Sequence, residues 1–347
     1  MLVHYFHNFA RINEEIMKLG LRFIEFLGAP RELINYAVLA EQAGFDSVWY
    51  PHDTFMHNTW ALTTATAEAT SRVKIGSVGI SPYHANPCEI ATYAATLDSL
   101  SEGRAILGLG FHTRMFVGWT GIDTTDYLNH TREATEIIRA LFRGEVVDYK
   151  GQSFQWDDQC YFRFEPYRDQ VPIYICPFGQ DYLELSGEIG DGCLPMITPT
   201  ASAKAMVSAI HTGATKAGRN PSDVAISGCA WLSVSEDRQA AADKMRNMVA
   251  YFGPHLEAHA LESVGLSKEI MRPLKELVEQ RRYEEAHAAV TDDMLKLGIV
   301  GTPKEVIAEI QELADAGITE IGFGGPIGPD VEESIRLMGE KVIPYFT

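Results

Sequence analysis

The sequence lacks the features that mark several common classes of protein. It has five cysteines but no Cys-X-X-Cys pair, and no uninterrupted apolar run of about 18 residues that could cross a membrane. Basic residues are scarce, since 29 Lys and Arg stand against 47 Asp and Glu, for a net charge of −18. Nucleic-acid backbones and anionic membrane surfaces repel such a chain. With no signal-peptide pattern at the N-terminus either, we expect a cytoplasmic protein with reduced thiols that binds neither nucleic acid nor membrane.

Several catalytic motifs of fixed spacing are missing as well. There is no HExxH, no GxSxG and no GxGxxG after a predicted strand, which argues against a zinc hydrolase, a serine hydrolase and a Rossmann nucleotide site. His255 and His259 are spaced for one helix face but lack a carboxylate partner, so we treat them as incidental. Four other side chains could converge on a metal: Glu25, His52, Asp53 and His112. Their spacing is not that of a known metal motif, and we predict no metal.

Strand-like and helix-like segments alternate along the chain, which predicts parallel strands joined by crossover helices. Residues 1–20 are predicted as an N-terminal extension with a short helix over 13–19, and residues 253–290 as a late helical insertion. Residues 145–155 are predicted to form a small hairpin. The predicted strands are residues 21–27, 45–50, 72–83 (which runs into a loop), 103–110, 171–176, 192–197, 224–234 and 320–324. This order predicts one (β/α)8 TIM barrel over residues 21–347.

The candidate site lies where these strands end, because barrel enzymes carry their chemistry at the C-terminal ends of the strands. In residues 72–83, RVKIGSVGISPY, Gly76 and Gly79 interrupt an apolar strand. Glycines there indicate either a bulge against which a ligand lies or a bulge that only packs a barrel corner. Two glycine-containing loops, at residues 177–180 and 324–330, could bind a phosphate through backbone N–H groups, and the first precedes a helix.

Taken together, these segments resemble a known family. The stretches are FDSVWYPHD, RVKIGSVGISPYHANP, LDSLSEGRAILGLG, PIYICPFGQDYLELSGEIGDG and GTPKEVIAEIQELADAGITEIGFGGPIGPD. They are similar to the bacterial-luciferase-like superfamily of flavin and deazaflavin barrels, and within it to the coenzyme F420-dependent methylenetetrahydromethanopterin reductases. The likeness runs from about residue 20 to the end of the chain. It implies an oxidoreductase that transfers a hydride between reduced F420 and a one-carbon unit on a tetrahydropterin or tetrahydrofolate.

The resemblance also implies roles for single residues. Val78-Gly79 matches a non-prolyl cis peptide that backs the deazaflavin ring, and Glu25 matches a glutamate that protonates or positions the pterin nitrogen. His52 and Asp53 would orient the cofactor or the substrate. The residues expected to bind the cofactor are Val78, Gly79, Ser81, His112, Pro177, Phe178, Gly179, Gln180, Gly324, Gly325 and Gly328. Members of the superfamily often form homodimers or larger homo-oligomers, and the resemblance therefore implies a homo-oligomer.

Two departures from the family pattern leave alternatives open. Relatives commonly carry Asp then His after the second strand, whereas this chain has His52 then Asp53. An acid expected after the fourth strand is replaced by Phe111-His112-Thr113, which also argues against the sugar-phosphate dehydrogenases of the superfamily. The alternatives are an FMN-dependent monooxygenase, a flavin-independent methylenetetrahydrofolate reductase that uses a nicotinamide cofactor, and a flavin-binding protein without turnover.

Overall fold

The computed structural model describes residues 17–53, 55–110, 114–177 and 179–347, without the side chains of Glu25 and of residues 114–116. The strands of this described part are β1 (Lys18–Arg22), β2 (Ser47–Pro51), β3 (Lys74–Val78), β4 (Ala105–Gly110), β5 (Ile173–Cys176), β6 (Gly192–Cys193), β7 (Ala225–Val234), β8 (Gly298–Gly301) and β9 (Glu320–Ile327). All of them pair in parallel, in the order β6-β5-β4-β3-β2-β1-β9-β7-β8.

A further parallel pairing, between β6 and β7, closes the sheet. Eight strands therefore form a closed barrel, and the predicted (β/α)8 fold is confirmed. The ninth, β8, lies outside the ring and pairs with the last residues of β7, from Trp231 to Val234.

The α-helices are α1 (Pro30–Ala43), α2 (Thr59–Ala69), α3 (Pro87–Leu100), α4 (Arg114–Trp119), α5 (Tyr127–Phe142), α6 (Gln180–Ile189), α7 (Ala203–Lys216), α8 (Arg238–Phe252), α9 (Ala258–Ser263), α10 (Lys268–Glu279), α11 (Tyr283–Ala288), α12 (Pro303–Asp315) and α13 (Val331–Lys341). Their ends follow ordinary capping chemistry. Asn86 accepts a hydrogen bond from the N–H of Cys88 ahead of α3, and Gly44 ends α1 in a left-handed conformation. The helices α9 to α11 occupy the segment predicted as an insertion.

Three apolar clusters organise the interior. The largest fills the space between the barrel and its surrounding helices. A small cluster inside the barrel includes Trp49, Val78, Tyr174, Cys176 and Cys229. A third cluster holds the insertion against α8 and the end of β7. Below the barrel cluster, the buried carboxylate of Glu320 accepts hydrogen bonds from Lys18 and Tyr174. The opposite, C-terminal end of the barrel is the mouth.

Several predicted bounds differ from the structure. The first strand is Lys18–Arg22 rather than residues 21–27, and Glu25–Leu27 is a turn of 3-10 helix. Strand β1 therefore begins inside the predicted N-terminal extension. Lys18 and Leu19, which were predicted to end a helix over residues 13–19, belong to this strand, and residues 13–16 lie outside the described part. The sixth strand ends at Cys193 instead of residue 197, and the last one continues to Ile327. The hairpin over 145–155 is reduced to one antiparallel bridge, between Lys150 and Gln155.

Candidate active site

At the mouth, β3 is interrupted at Gly79. Its φ of +70° places Gly79 in the left-handed region, and its N–H donates to the sulfur of Cys176 at 3.1 Å. Pairing with β4 resumes at Ile80, whose N–H donates to the carbonyl of Gly108 at 2.9 Å. The break is therefore a one-residue bulge, as the glycine pattern predicts, and it is bonded to β5 through Cys176 and to the adjacent β4 through Gly108.

The cis peptide expected between Val78 and Gly79 is not present. Among the described peptide bonds, the cis bond is the one between Gly325 and Pro326. The expectation is therefore wrong for this structure. The positive φ of Gly79 provides the change of backbone direction with an ordinary trans bond.

His52 follows β2 beside this bulge. Its backbone N–H donates to the carbonyl of Val78 at 2.9 Å, and its ring stacks on Trp60 with centroids 6.1 Å apart. Burial, assisted by nearby His84, lowers the pKa of His52 to about 4, so the imidazole is neutral at pH 7. Its Nδ1 is buried without a hydrogen-bond partner. His52 can therefore accept or donate a hydrogen bond as a neutral ring, but it is not a charged acid. Asp53 is the next residue along the same edge.

Ser81 lies just beyond the bulge and is buried. Its hydroxyl accepts a hydrogen bond from the N–H of Tyr83 at 3.3 Å, and its carbonyl accepts from His84 and Ala85. These contacts show Ser81 supporting the loop after β3. His112 and Phe178, the two other predicted contacts in this region, lie outside the described residues.

Glu25 begins the 3-10 turn that follows β1. It therefore lies beyond the C-terminal end of this strand, on the side of the mouth, and not within a strand as predicted. Beside this turn is a cavity of about 370 Å³ with aromatic walls. Phe26 contacts Tyr251 and Phe252 there, with ring centroids 5.5 and 5.3 Å apart. Pro326 of β9 closes the barrel side of the cavity. We call it the aromatic cavity.

A second cavity, of about 360 Å³, opens at the start of α6. Pro177, Gly179 and Gln180 line it, as predicted for a phosphate-binding loop. Gly179 has a φ of +91°, and an added Cβ there would meet no atom within 4 Å. The N–H groups in the first turn of a helix have no partner within that helix and attract anions. We call this the α6 cavity.

The α6 cavity also contains residues that sequence reasoning set aside. His255 and His259 line its far wall, on the insertion. Burial lowers the pKa of His255, and Lys275 and Lys268 nearby lower it further. The signal in the sequence was the four-residue spacing, but nothing there indicated that the insertion folds back toward α6.

The second glycine-rich segment differs from its predicted form. Gly324 and Gly325 belong to β9 rather than to a loop, and they face protein atoms. A Cβ on Gly325 would lie 3.3 Å from Ile24 and from Leu27. At Gly328 the space is filled by Ser334, whose Oγ would be 2.0 Å from an added Cβ. The packing explains these glycines without a ligand, so the α6 cavity is the better candidate for a phosphate.

Arg22 is a site residue that the sequence analysis missed. It is the last residue of β1 and points into the barrel, where only 6% of it is exposed. A Cβ on Gly324 would lie 3.1 Å from its Nη2. The period of two in β1 could have indicated this position, because Gly20 and Arg22 lie on the same face of the strand, which points into the barrel.

Two classes of feature were also sought in the described part of the chain. No group of three or more His, Cys, Asp or Glu side chains could hold a metal ion there. Of the described helices, none has the length and apolar character that a membrane span requires.

Comparison with known proteins gives consistent matches along the whole chain. Residues 3–320 match the protein-family model described as luciferase-like monooxygenase. The 5,10-methylenetetrahydromethanopterin reductase of Archaeoglobus fulgidus is 33% identical over 333 residues, which cover 94% of this chain and 99% of the reductase. An F420-dependent glucose-6-phosphate dehydrogenase of Amycolatopsis mediterranei is 31% identical over 348 residues, 95% of this chain and 98% of that protein.

A solved structure agrees with the sequence matches. The coenzyme F420-dependent tetrahydromethanopterin reductase from Methanopyrus kandleri superposes with a TM-score of 0.90 at 26% identity, covering 96% of this chain and 100% of that one.

Proposed function

Because the chain belongs to the luciferase-like monooxygenase family, we propose that it is an F420-dependent oxidoreductase that transfers a hydride to a one-carbon unit on a tetrahydropterin. Similarity to reductases of this kind along almost the full length of both chains supports the choice of cofactor and substrate class. The observation that carries the proposal is the bulge at Gly79. It presents a backbone without a side chain at the mouth end of β3, where a flat ring can lie against it.

The residues around the bulge fit a deazaflavin with a phosphate-bearing side chain. The ring would lie on Val78 and Gly79, and the phosphate would bind the N–H groups at the start of α6, where Gly179 leaves open space. When bound, the deazaflavin accepts and delivers a hydride, and the protein supplies orientation and exclusion of water. His112, Phe178 and Ser81 remain proposed contacts of the ring and its side chain.

Glu25 is proposed as the acid that protonates the pterin nitrogen next to the reacting carbon. The aromatic cavity beside its backbone supports this role, because its aromatic and aliphatic walls favour the protonated form of a carboxylic acid; Lys244, which also lines the cavity, acts in the opposite direction. Those aromatic walls also suit an aromatic substrate ring. His52 and Asp53 are proposed to orient the cofactor or the substrate, with His52 acting as a neutral ring.

Oxidation of a sugar phosphate is the second candidate, because the Amycolatopsis mediterranei dehydrogenase is nearly as similar as the reductase. Phe111-His112-Thr113 lacks the acid expected after the fourth strand in both classes of enzyme, so this segment does not decide between them. We further propose a homo-oligomer, on the family resemblance alone, and a cytoplasmic location, which the five free cysteines support.

The test is a binding and turnover experiment on the purified protein. Binding of F420 and of FMN is followed separately by fluorescence, and the protein with reduced F420 is then mixed with methylenetetrahydromethanopterin, with methylenetetrahydrofolate, or, using oxidised F420, with glucose 6-phosphate. Tight binding of F420 and oxidation of reduced F420 by a methylene-pterin are expected. Preference for FMN, or turnover of the sugar phosphate alone, would contradict the proposal.

A further inference from the structure

Arg22 places a positive charge inside the barrel mouth that none of the described carboxylates neutralises. An arginine keeps its charge under all ordinary conditions, and burial of a charge is costly unless a partner neutralises it. Within the described side chains, no carboxylate forms an ion pair with Arg22, and its Nε is buried without a hydrogen-bond partner. The buried Glu320 of the barrel interior pairs instead with Lys18 and Tyr174, at the opposite end.

The two thiols that neighbour Arg22 do not neutralise it either. Cys176 and Cys229 both lie within the electrostatic influence of Arg22. Complete burial raises the pKa of both thiols, and it does so more strongly than Arg22 lowers it. Both sulfurs therefore stay protonated and neutral at pH 7.

The position of Arg22 links it to the Gly79 bulge. Cys176, whose thiol lies within the electrostatic influence of Arg22, is the same residue whose sulfur accepts the hydrogen bond from Gly79. On the other side, Arg22 lies against Gly324 of β9. The guanidinium is thus inside the barrel beside Gly324 of β9, at the end of β1 that faces the mouth.

We propose that Arg22 binds the pyrimidine edge of the reduced cofactor ring, at N1 and the adjacent carbonyl oxygen, and stabilises the negative charge there. This inference rests on the proposed function. A hydride brings one proton and two electrons, so its addition to the ring carbon gives the ring one additional negative charge, which N1 and the carbonyl oxygen share. Transfer of the hydride to the substrate carbon removes that charge again. A fixed cation at this edge favours the reduced form over the oxidised form.

The test compares the affinity of both redox states for three variants. Arg22→Met removes the charge and keeps an apolar chain of similar length, whereas Arg22→Lys keeps the charge. Arg143→Met makes the same chemical change at an exposed arginine that pairs with Glu145, and serves as the matched control. Dissociation constants for oxidised and reduced F420 are measured anaerobically, and the midpoint potential of the bound cofactor is measured independently.

We expect Arg22→Met to weaken binding of reduced F420 at least about tenfold more than binding of oxidised F420, which lowers the midpoint potential by about 30 mV for a two-electron couple. Arg22→Lys should restore part of the difference, and Arg143→Met should match the wild type. The thermal midpoint of apo Arg22→Met should equal or exceed that of the wild type, because an apolar residue replaces an unpaired buried charge.

Equal weakening of both redox states by Arg22→Met, or no weakening, would overturn this inference while leaving the proposed function intact. A wild-type protein that binds F420 in neither state would overturn both. A large loss of apo stability in Arg22→Met, with no change in the ratio of the two affinities, would assign Arg22 a structural role and also overturn the inference.

Discussion

The hydrogen bond between Gly79 and Cys176 gives a quantitative test of the bulge. Cys176→Ala removes a fully buried sulfur and leaves the N–H of Gly79 without its acceptor. Loss of the sulfur costs roughly 1 kcal/mol in packing, by analogy with removal of a buried methyl group. A buried N–H without a partner costs about 1–3 kcal/mol more. We therefore expect the free energy of unfolding to fall by about 2–4 kcal/mol.

Cys193→Ala is the matched control. Cys193 is also fully buried, but it lies in the cluster outside the barrel and accepts no bond from a strand N–H at a bulge. The packing cost of roughly 1 kcal/mol applies there too, and the loss of the interaction with the Ser186 side chain leaves no backbone N–H without an acceptor. Cys176→Ser keeps an acceptor near Gly79 and should recover part of the lost stability.

The assay is urea-induced unfolding of the three variants and the wild type, followed by circular dichroism and by tryptophan fluorescence. Fluorescence titration with F420 then reports on the ligand face of the bulge, and Cys176→Ala should bind more weakly than Cys193→Ala. If the two alanine variants lose the same stability, the bond to Gly79 contributes nothing, and the account of the bulge given above is wrong.

Four further predictions address the site and its frame. Glu25→Gln should lower turnover strongly while F420 affinity stays near the wild-type value, because the amide cannot donate a carboxyl proton; equal turnover would remove Glu25 from the mechanism. Gly79→Val should weaken F420 binding in fluorescence titrations, because a β-branched residue is strained at a φ of +70° and covers the ring-binding surface. Burial lowers the pKa of His52 to about 4 from its usual 6.5. Its contribution to stability is therefore complete above about pH 6.5 and is lost as the pH falls toward 4. The urea midpoint should fall more between about pH 7.5 and about pH 5 for the wild type than for His52→Phe, which keeps the stacking on Trp60. Asp98→Ala should lower the free energy of unfolding by about 3–5 kcal/mol, because buried Asp98 pairs with Arg168; a loss under about 1 kcal/mol in urea unfolding would contradict the assigned pairing.

The helices were the best predicted part of the fold, because their ends carry local signals. The sequence predicts helices over residues 30–43 and 331–341, and these are the observed bounds of α1 and α13. Pro30 and Gly44 delimit the first, and Asp330 caps the second through the N–H of Glu333. A strand, in contrast, ends where the strand beside it no longer offers hydrogen-bonding partners, which is not a local signal in the sequence. Phe23 and Ile24 continue an apolar run beyond the end of β1, and the sequence alone does not show where pairing ends.

The missed strand β8 has the same cause. The sixth strand ends at Cys193, so the last residues of the longer β7 have an unpaired edge, and residues 298–301 pair with it. Nothing in the letters GIVG distinguishes this segment from a turn. A partner becomes necessary only because β7 is longer than β6.

For the candidate site, the sequence predicted the places of glycine-containing backbone segments better than the contacts between side chains. The bulge at Gly79 followed from two glycines in an apolar strand, and the loop at Gly179 from its place before a helix. The stacking of His52 on Trp60 did not follow, because the two rings meet only when α2 packs against the end of β2. Arg22 was missed because the face of a strand is known only once its register in the barrel is fixed.

The insertion has an apolar core separate from that of the barrel. It can therefore be exchanged for another segment, whereas the barrel that carries the Gly79 bulge cannot. The insertion packs around Leu261, Met271 and Leu274, and it joins the barrel largely through α8 and Trp231 of β7. Both cavities take one wall from the barrel and the other from the α8–α11 region. A different insertion could therefore reshape the ligand cavities while the Gly79 bulge stays as it is. Substrate choice in this architecture can thus evolve, or be engineered by grafting, without rebuilding the bulge at which we propose that the hydride is transferred.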